Sequence, residues 1–535
     1  MATRRQPVIL IRLLPGTLCA LLLVSSALLA IFILWYYAPA EDHSGLWEES
    51  CLWHVVGFSF WQASLSTLVA TLPAVPLARA LYRRRFIGRT WLLRLCAMTL
   101  ILPVLVAVFG LLSIYGQQGW LAHLCRAVGL PYTFSPYGLQ GILLAHLFFN
   151  LPLATRLLLQ ALQQIPVEQR QLAAQLGLKR WQHFIIVEWP WLRRQLLSSC
   201  SLIFILCFTS FATVLALGGG PQATTLELAI FQSLSFDYDP ARAAQLALLQ
   251  MGCCLSLVVL SQWLKRSFKS GERRQLGWVN PQDSRRAKGW DILLISLLCL
   301  LLLPPLLAIV FDGINRHFPV LMQQTTLWQA IVTSLWIALS AGLLALTVTM
   351  MLLWSSRELQ LRGHLPAARL ITLSGSLILA MPGIVLASAI FLFCSATLGL
   401  PDNPALLVII INALMAVPYA MKVLESPMND SAERFDRLCL SLGITGWKRL
   451  RLIELRALRQ PLCQALAFAC VLSVGDFGVI ALFGSENFQT LPFYLYQQIG
   501  AYRSENGAVT ALLLLLLCLL LLTVIEKISG SHADA

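Results

Sequence analysis

Charge is scarce in this sequence. Only 12% of its 535 residues are Asp, Glu, Lys or Arg, while 58% are hydrophobic; a soluble domain carries about twice that share of charge. With a mean hydropathy of +0.73, no water-soluble fold hides so much apolar surface, so the bilayer is the expected solvent. Catalytic signatures are also missing. No H-E-x-x-H or other zinc spacing occurs, and the eight histidines are scattered; His146, inside an apolar run, reads as a packed polar residue. No G-x-x-x-x-G-K-[ST] phosphate loop occurs, and GGGP at 218–221 lacks its Lys and hydroxyl residue. The chain is therefore expected to be no enzyme, to hydrolyse no ATP and to hold no cofactor or metal. Cysteine is plentiful at 14 residues, but without a C-x-x-C pair. Cys207, Cys470 and Cys518 lie in apolar runs, where a small packing role is expected. Cys51 and Cys125 fall near the expected outer face, and nothing requires them to pair.

What is present is a series of apolar stretches of about 20 residues, the length of a membrane helix. Twelve are expected, near 13–38, 52–81, 92–115, 138–162, 195–217, 242–264, 290–311, 327–354, 369–397, 404–424, 461–483 and 507–525. Lipid admits only helices or closed barrels, and Leu-rich runs such as ALLLLLLCLLLLTVI lack the alternation of a barrel. The fold class is therefore all-α and polytopic. The first run is too long for a signal-peptide core and no small-residue cleavage site follows it, so it counts as a span. The net charge of +14 is unevenly placed. Arg83, Arg84 and Arg85 follow the second span, Lys265, Arg266, Lys269, Arg273 and Arg274 the sixth, and Lys448, Arg449 and Arg451 the tenth. EDHSGLWEES and LSFDYDP lie in the alternate connections. Every even-numbered connection is basic, which puts those connections and both termini in the cytoplasm. The basic excess thus reads as topology, and no basic and aromatic platform suggests nucleic acid.

One loop design is used twice. QLAAQLGLKRWQHFIIVEWPWLRR and RLCLSLGITGWKRLRLIELRALRQ each sit between apolar runs, with Gly177 and Gly443 lying 266 residues apart. At the same offset Leu172 matches Leu438, Leu176 matches Leu442, Trp181 matches Trp447, Glu188 matches Glu454 and Arg193 matches Arg459. Further echoes pair Trp53 with Trp328 and Trp61 with Trp336, each 275 apart, and Pro152 with Pro418. Six spans per half make a parallel repeat about an axis along the membrane normal. The expected organisation is a first half at 1–264 (core 52–264, loop 163–194), a polar linker at 265–289, and a second half at 290–535 (core 327–525, loop 425–460). Within each loop, a short helix is expected to end near the glycine and a second to start beyond it. Trp181, Phe184 and Ile185, and in the second copy Trp447, Leu450 and Leu452, form an apolar face outside the membrane. Such a face lies on lipid or docks into a partner's groove; duplication favours docking onto a two-fold partner.

These loops resemble the EAA motif of type I ATP-binding-cassette importer permeases: Glu-Ala-Ala, three residues, Gly, nine residues, Ile, one residue, Leu-Pro. The matching positions are Gln171, Leu172, Ala173, Gly177, Val187, Trp189 and Pro190, then Arg437, Leu438, Cys439, Gly443, Ile453, Leu455 and Arg456. The leading acid is absent from both copies and the proline from the second. The resemblance implies a membrane subunit with two coupling loops. Their residues would include Gln171, Ala173, Gly177, Trp181, Glu188 and Pro190, and Leu438, Gly443, Trp447, Ile453, Glu454 and Leu455. It implies two copies of a separate ATPase, which bind ATP-Mg, a periplasmic substrate-binding protein, and a bacterial inner-membrane location. Segments such as MTLILPVLVAVFG, LGGGPQATTLELAI and TLPFYLYQQIG resemble the thiamine-transporting branch of these permeases, with fused halves; this implies thiamine and its phosphate esters as cargo. Ferric iron is the alternative within the same machinery, and a proton-coupled secondary transporter the alternative outside it.

Ionisable residues inside spans carry a functional expectation. Asp476 stands out in SVGDFGVIAL: it either faces a cationic cargo in the central path or caps a kinked helix, and the cap is favoured. Asn150, beside Pro152, is the second path candidate. Glu188 and Glu454 are expected to pair with Arg193, Arg459 or a partner.

Overall fold

A computed structural model describes residues 10–38, 50–99, 101–264, 284–378, 381–397, 399, 403–444, 446–501 and 503–528. The described residues are helical throughout, without a strand. In chain order the helices are α1 (Leu10–Tyr37), α2 (Ser50–Arg83), α3 (Arg89–Met98), α4 (Val104–Tyr115), α5 (Trp120–Ala127), α6 (Leu139–Gln163), α7 (Val167–Gln175), α8 (Arg180–His183), α9 (Trp189–Phe208), α10 (Phe211–Leu217), α11 (Leu226–Ser235) and α12 (Pro240–Leu264). Then follow α13 (Arg285–Gly313), α14 (Phe318–Leu321), α15 (Thr325–Leu361), α16 (Leu365–Leu377), α17 (Gly383–Thr397), α18 (Ala405–Ser441), α19 (Trp447–Arg449), α20 (Leu455–Ala457), α21 (Arg459–Gly475), α22 (Gly478–Phe483), α23 (Leu491–Gly500) and α24 (Ser504–Ile528).

Among these residues, eleven helical stretches are long and apolar enough to cross a membrane. The difference from twelve lies in the ninth expected span, which is broken into α16 and α17 before Gly383. The third expected span is broken likewise, into α3 and α4 before Val104. Pro103 and Pro382 stand at the two breaks; proline lacks an N–H and forces the residue before it out of helical geometry. The eleventh span breaks too, between α21 and α22, as the fifth does between α9 and α10.

The chain packs as two compact units. One comprises described residues within 42–228 and 255–314. Here α2 lies along α6 and α9, and α13 lies against α2 and α4. Asp291, near the start of α13, accepts from Arg83 Nη2 at 2.7 Å and Arg84 Nε at 2.8 Å. Gly110 of α4 lets the helices touch: a Cβ there would sit 2.6 Å from the Pro305 carbonyl oxygen.

The other unit comprises described residues within 1–41, 229–254 and 315–535. In it α15 packs against α18 and α21, and α1 lies on α15, α16 and α17. Ser355 Oγ accepts from the Gly16 N–H at 3.1 Å and donates to the Leu13 carbonyl at 3.2 Å. The compact units therefore cut across the halves of the sequence repeat: α1 packs with second-half helices and α13 with first-half helices. Of the 265–289 linker, residues 265–283 lie outside the described residues, and Arg285 to Gly289 open α13.

The internal repeat extends to single hydrogen bonds. The Leu226 N–H donates to Ser59 Oγ at 3.0 Å, and the Leu491 N–H to Ser334 Oγ at 2.7 Å. The two serines stand 275 residues apart, as Trp53 and Trp328 do.

Candidate coupling loops and buried polar sites

In the first loop α7 ends on Gly177, whose φ of +63° only glycine adopts without strain. The Leu178 N–H returns to the Ala173 carbonyl at 3.1 Å, closing the helix C-terminus as a left-handed cap does. The next helix begins when Gln182 Oε1 accepts from the Lys179 N–H at 2.9 Å, one arm of a capping box. It runs through a π-helical turn, Phe184–Glu188, directly into α9. The second loop repeats the glycine cap and the π-turn. Gly443 has a φ of +65°, the Ile444 N–H returns to the Cys439 carbonyl at 2.9 Å, and a π-helical turn, Leu450–Glu454, follows α19. Such turns are frequent at functional sites, and here one sits at each copy, 266 residues apart.

The π-turns deliver an acid to the same place. Glu188 is 5% and Glu454 2% exposed. Glu188 Oε2 accepts from Arg79 Nε at 2.6 Å, and His183 Nδ1 stands 3.6 Å from its Oε1. Arg79 lies over the Phe184 ring, 4.2 Å from its centroid. Glu454 accepts from Arg357 Nη1 and, at 2.9 Å, from Arg449 Nε. These partners correct the expected pairing with Arg193 and Arg459. Each acid is tied instead to a basic residue five positions before it, His183 or Arg449, and to an arginine on a long membrane helix, Arg79 of α2 or Arg357 of α15. The pairing is long-range because the π-turn rotates the acid inward, away from the arginine that follows it in sequence.

Around these pins the chemistry differs between copies. Arg170 is buried, donates to the Leu162 carbonyl at 2.6 Å and stacks over Tyr82, 4.0 Å from the ring centroid. Burial draws its pKa down, with Tyr82 and Glu188 opposing. Its repeat counterpart is Asp436, which accepts from Arg449 Nη1 at 2.7 Å. His183 and Arg449 are likewise counterparts, an offset visible in the sequence. Arg79 has Trp354 as its mate at the 275 offset, so the repeat gave no sign of it.

Of the other expected loop residues, Gln171, Gly177, Trp181, Leu438, Gly443 and Leu455 are exposed, Pro190 and Ile453 half-buried, and Ala173 buried. The Trp447 side chain lies outside the described residues. Leu172, Leu176, Trp181 and Ile186 present an apolar surface in one loop, and Leu438, Leu442 and Leu452 in the other; Phe184, by contrast, turns inward under Arg79.

The path candidates lie on different contacts. Buried Asn150 donates to Cys207 Sγ at 3.2 Å, and Asn412 donates to Ser473 Oγ at 3.0 Å. Cys207 and Ser473 are repeat counterparts, so the two asparagines reach one equivalent point. Asp476 Oδ2 accepts from the Val479 N–H at 3.2 Å, the cap of the short α22. A buried acid that the sequence reading passed over is Glu227, at the start of α11. All 14 cysteines are free, Cys51 and Cys125 included. No group of His, Cys, Asp or Glu suited to a metal occurs among the described residues.

Duplicated helical loops on a polytopic helical chain define a membrane component built on an internal repeat. The pattern of the family described as binding-protein-dependent transport system inner membrane component matches residues 66–270 and 364–529, once in each half. The chain belongs to this family and is a multi-pass inner-membrane transport subunit. It is 64% identical over 530 residues, 99% of each chain, to the thiamine transport system permease protein ThiP of Escherichia coli. It is 44% identical over 467 residues, 87% of each chain, to the protein of that name in Haemophilus influenzae. A probable sulfate transport system permease of Zygnema circumcarinatum is 26% identical over 211 residues, 39% of this chain and 72% of its own.

Proposed function

We propose that this chain is the permease subunit of an ATP-binding-cassette importer that carries thiamine and its phosphate esters into the cell. The observation that carries the machinery is the doubled loop: a left-handed glycine, a π-turn and a buried acid tied to a membrane helix, at one spacing in both copies. Each loop docks into one of two ATPase subunits, with the exposed leucines and Trp181 supplying apolar contact. ATP, bound with Mg on those subunits, favours their closed pairing, and that differential affinity is the source of work. The pull on each loop passes through Glu188 to α2 and through Glu454 to α15, exposing the path outward and, after hydrolysis, inward. A periplasmic binding protein delivers the cargo, and both termini lie in the cytoplasm.

The choice of cargo rests on relatives named for thiamine that match nearly the whole chain. Asn150 and Asp476 remain the path candidates; the hydrogen bond to Val479 gives Asp476 a capping task in either case. A proton-coupled carrier would need a relay of acids and bases inside the spans, and the buried ion-paired acids described here, Glu188, Asp291, Glu358 and Glu454, lie in the loops or within the end turns of helices instead. The test is uptake of radiolabelled thiamine by cells lacking the chromosomal copy, with purification of the complex. Uptake restored by this chain and a stoichiometric ATPase in the pull-down support the proposal. A chain that transports alone in ATP-free vesicles overturns it.

A further inference from the structure

Among the described residues, the buried acids obey one rule with one exception. Glu188 is met by Arg79, Asp291 by Arg83 and Arg84, Glu358 by Arg357 and Arg362, and Glu454 by Arg357 and Arg449. Glu227 is 2% exposed, yet no Lys, Arg or His forms an ion pair with it among the described residues. The backbone N–H of Phe211, the first residue of α10, donates to its carboxyl group. A buried carboxylate without a counter-ion is costly to ionise. Burial accordingly pushes its pKa up to about 8, the Phe211 N–H drawing it part of the way back.

The position is informative as well. Phe211 opens α10 at the break in the fifth span. At the equivalent break in the second half Asp476 stands before α22, also bonded to a backbone N–H. Each unit thus places one carboxyl group at its helix break, and neither has an ion-pair partner among the described residues. The two acids come from unlike positions, since Glu227 has Pro492 as its repeat mate and Asp476 has Ser210. The sequence repeat alone did not produce the match.

We propose that Glu227 is a specificity residue for the positive charge of the cargo, its missing counter-ion being supplied by the cation in transit. With no cation present the carboxyl group is neutral. When a cation arrives the O–H bond breaks, the proton passes to water, and the carboxylate and cation pair. The neutral form spares the empty protein a stranded charge, and the ionised form rewards only a positively charged solute. This inference rests on the thiamine reading given above.

The discriminating variant is Glu227→Gln, which keeps the volume and an oxygen to accept from Phe211 but cannot ionise. The complete importer, with its ATPase and binding protein, is reconstituted in proteoliposomes, and thiamine uptake is measured against concentration. An uncharged analogue of the same shape serves as competitor. Loss of a charge-assisted contact is expected to raise the half-saturating thiamine concentration roughly ten- to a hundredfold, with the preference for thiamine over the analogue falling alike. Unchanged saturation and preference in Glu227→Gln overturn the inference and leave Glu227 as a helix cap only. Glu227→Ala, which loses the cap as well, reports that second role through assembly yield. Wild-type protein that takes up no thiamine would instead refute the reading on which the inference rests, so the two failures are distinct.

Discussion

Replacing Arg79 by Met removes the guanidinium but keeps the stem, and it strands Glu188. The pair is close, at 2.6 Å, and its side chains are only 16% and 7% exposed. Removing one partner of such a pair costs about 3–5 kcal/mol, because the remaining charge is buried alone. His183, at 3.6 Å, relieves part of that burden, while loss of the stacking on Phe184 adds about 0.5–1 kcal/mol. A net destabilisation of about 3 kcal/mol is expected, a factor of roughly 100 in the folded ratio. Adding Glu188→Gln removes the stranded charge and should recover about 2 kcal/mol, making the double variant more stable than the single one. Chemical denaturation of the complex in nanodiscs, read over all four corners of the cycle, gives the coupling energy. Thiamine carried per ATP hydrolysed is measured alongside. If the pin transmits the pull, the double variant stays folded but hydrolyses ATP with less transport. Additive destabilisation, or an unchanged transport ratio in the folded double variant, refutes the reasoning.

Two further outcomes are expected. Gly443→Ala places a Cβ in the left-handed region with no neighbour within 4 Å, so only backbone strain of about 1 kcal/mol follows; weaker capture of the ATPase with normal membrane insertion is the expected result, and unchanged capture would count against it. The sign at Glu227 is also fixed. A folded-state pKa of about 8, above the ordinary 4.5, gives stability that is complete below pH 4.5 and lost as pH rises through 8, by up to about 5 kcal/mol. Wild-type melting temperature should therefore fall more steeply than that of Glu227→Gln between pH 5 and 9, and parallel curves would contradict this.

The loops were legible because glycine's left-handed freedom and a fixed offset both leave marks in sequence. Gly177 and Gly443 end helices as that spacing requires, and the fold class follows from composition and the unbroken Leu-rich runs. The partners of Glu188 and Glu454 were not legible. Arg79 lies 109 residues before one and Arg357 lies 97 before the other, and a basic residue at a helix end reads first as topology. The π-turns escaped for a related reason: one extra residue in a helical turn changes which side chain faces inward without changing composition. Pro103 and Pro382 were visible, but an apolar run around a proline reads equally as a kinked span or a broken one. The exchange of α1 and α13 left no trace, since lipid is as apolar as leucine and an apolar run does not name its neighbour.

That exchange has a consequence for how such a chain is made and inherited. A cut between α12 and α13 would release two polypeptides, neither carrying all the pieces of a finished body, because each would hold a helix that completes the other. Identical twins of one fragment could not substitute, for the borrowed helix differs: α13 brings Asp291 to a pair of arginines, whereas α1 brings a bare glycine to a serine. Joining both in one reading frame guarantees that the right lender and borrower leave the ribosome together, in equal number.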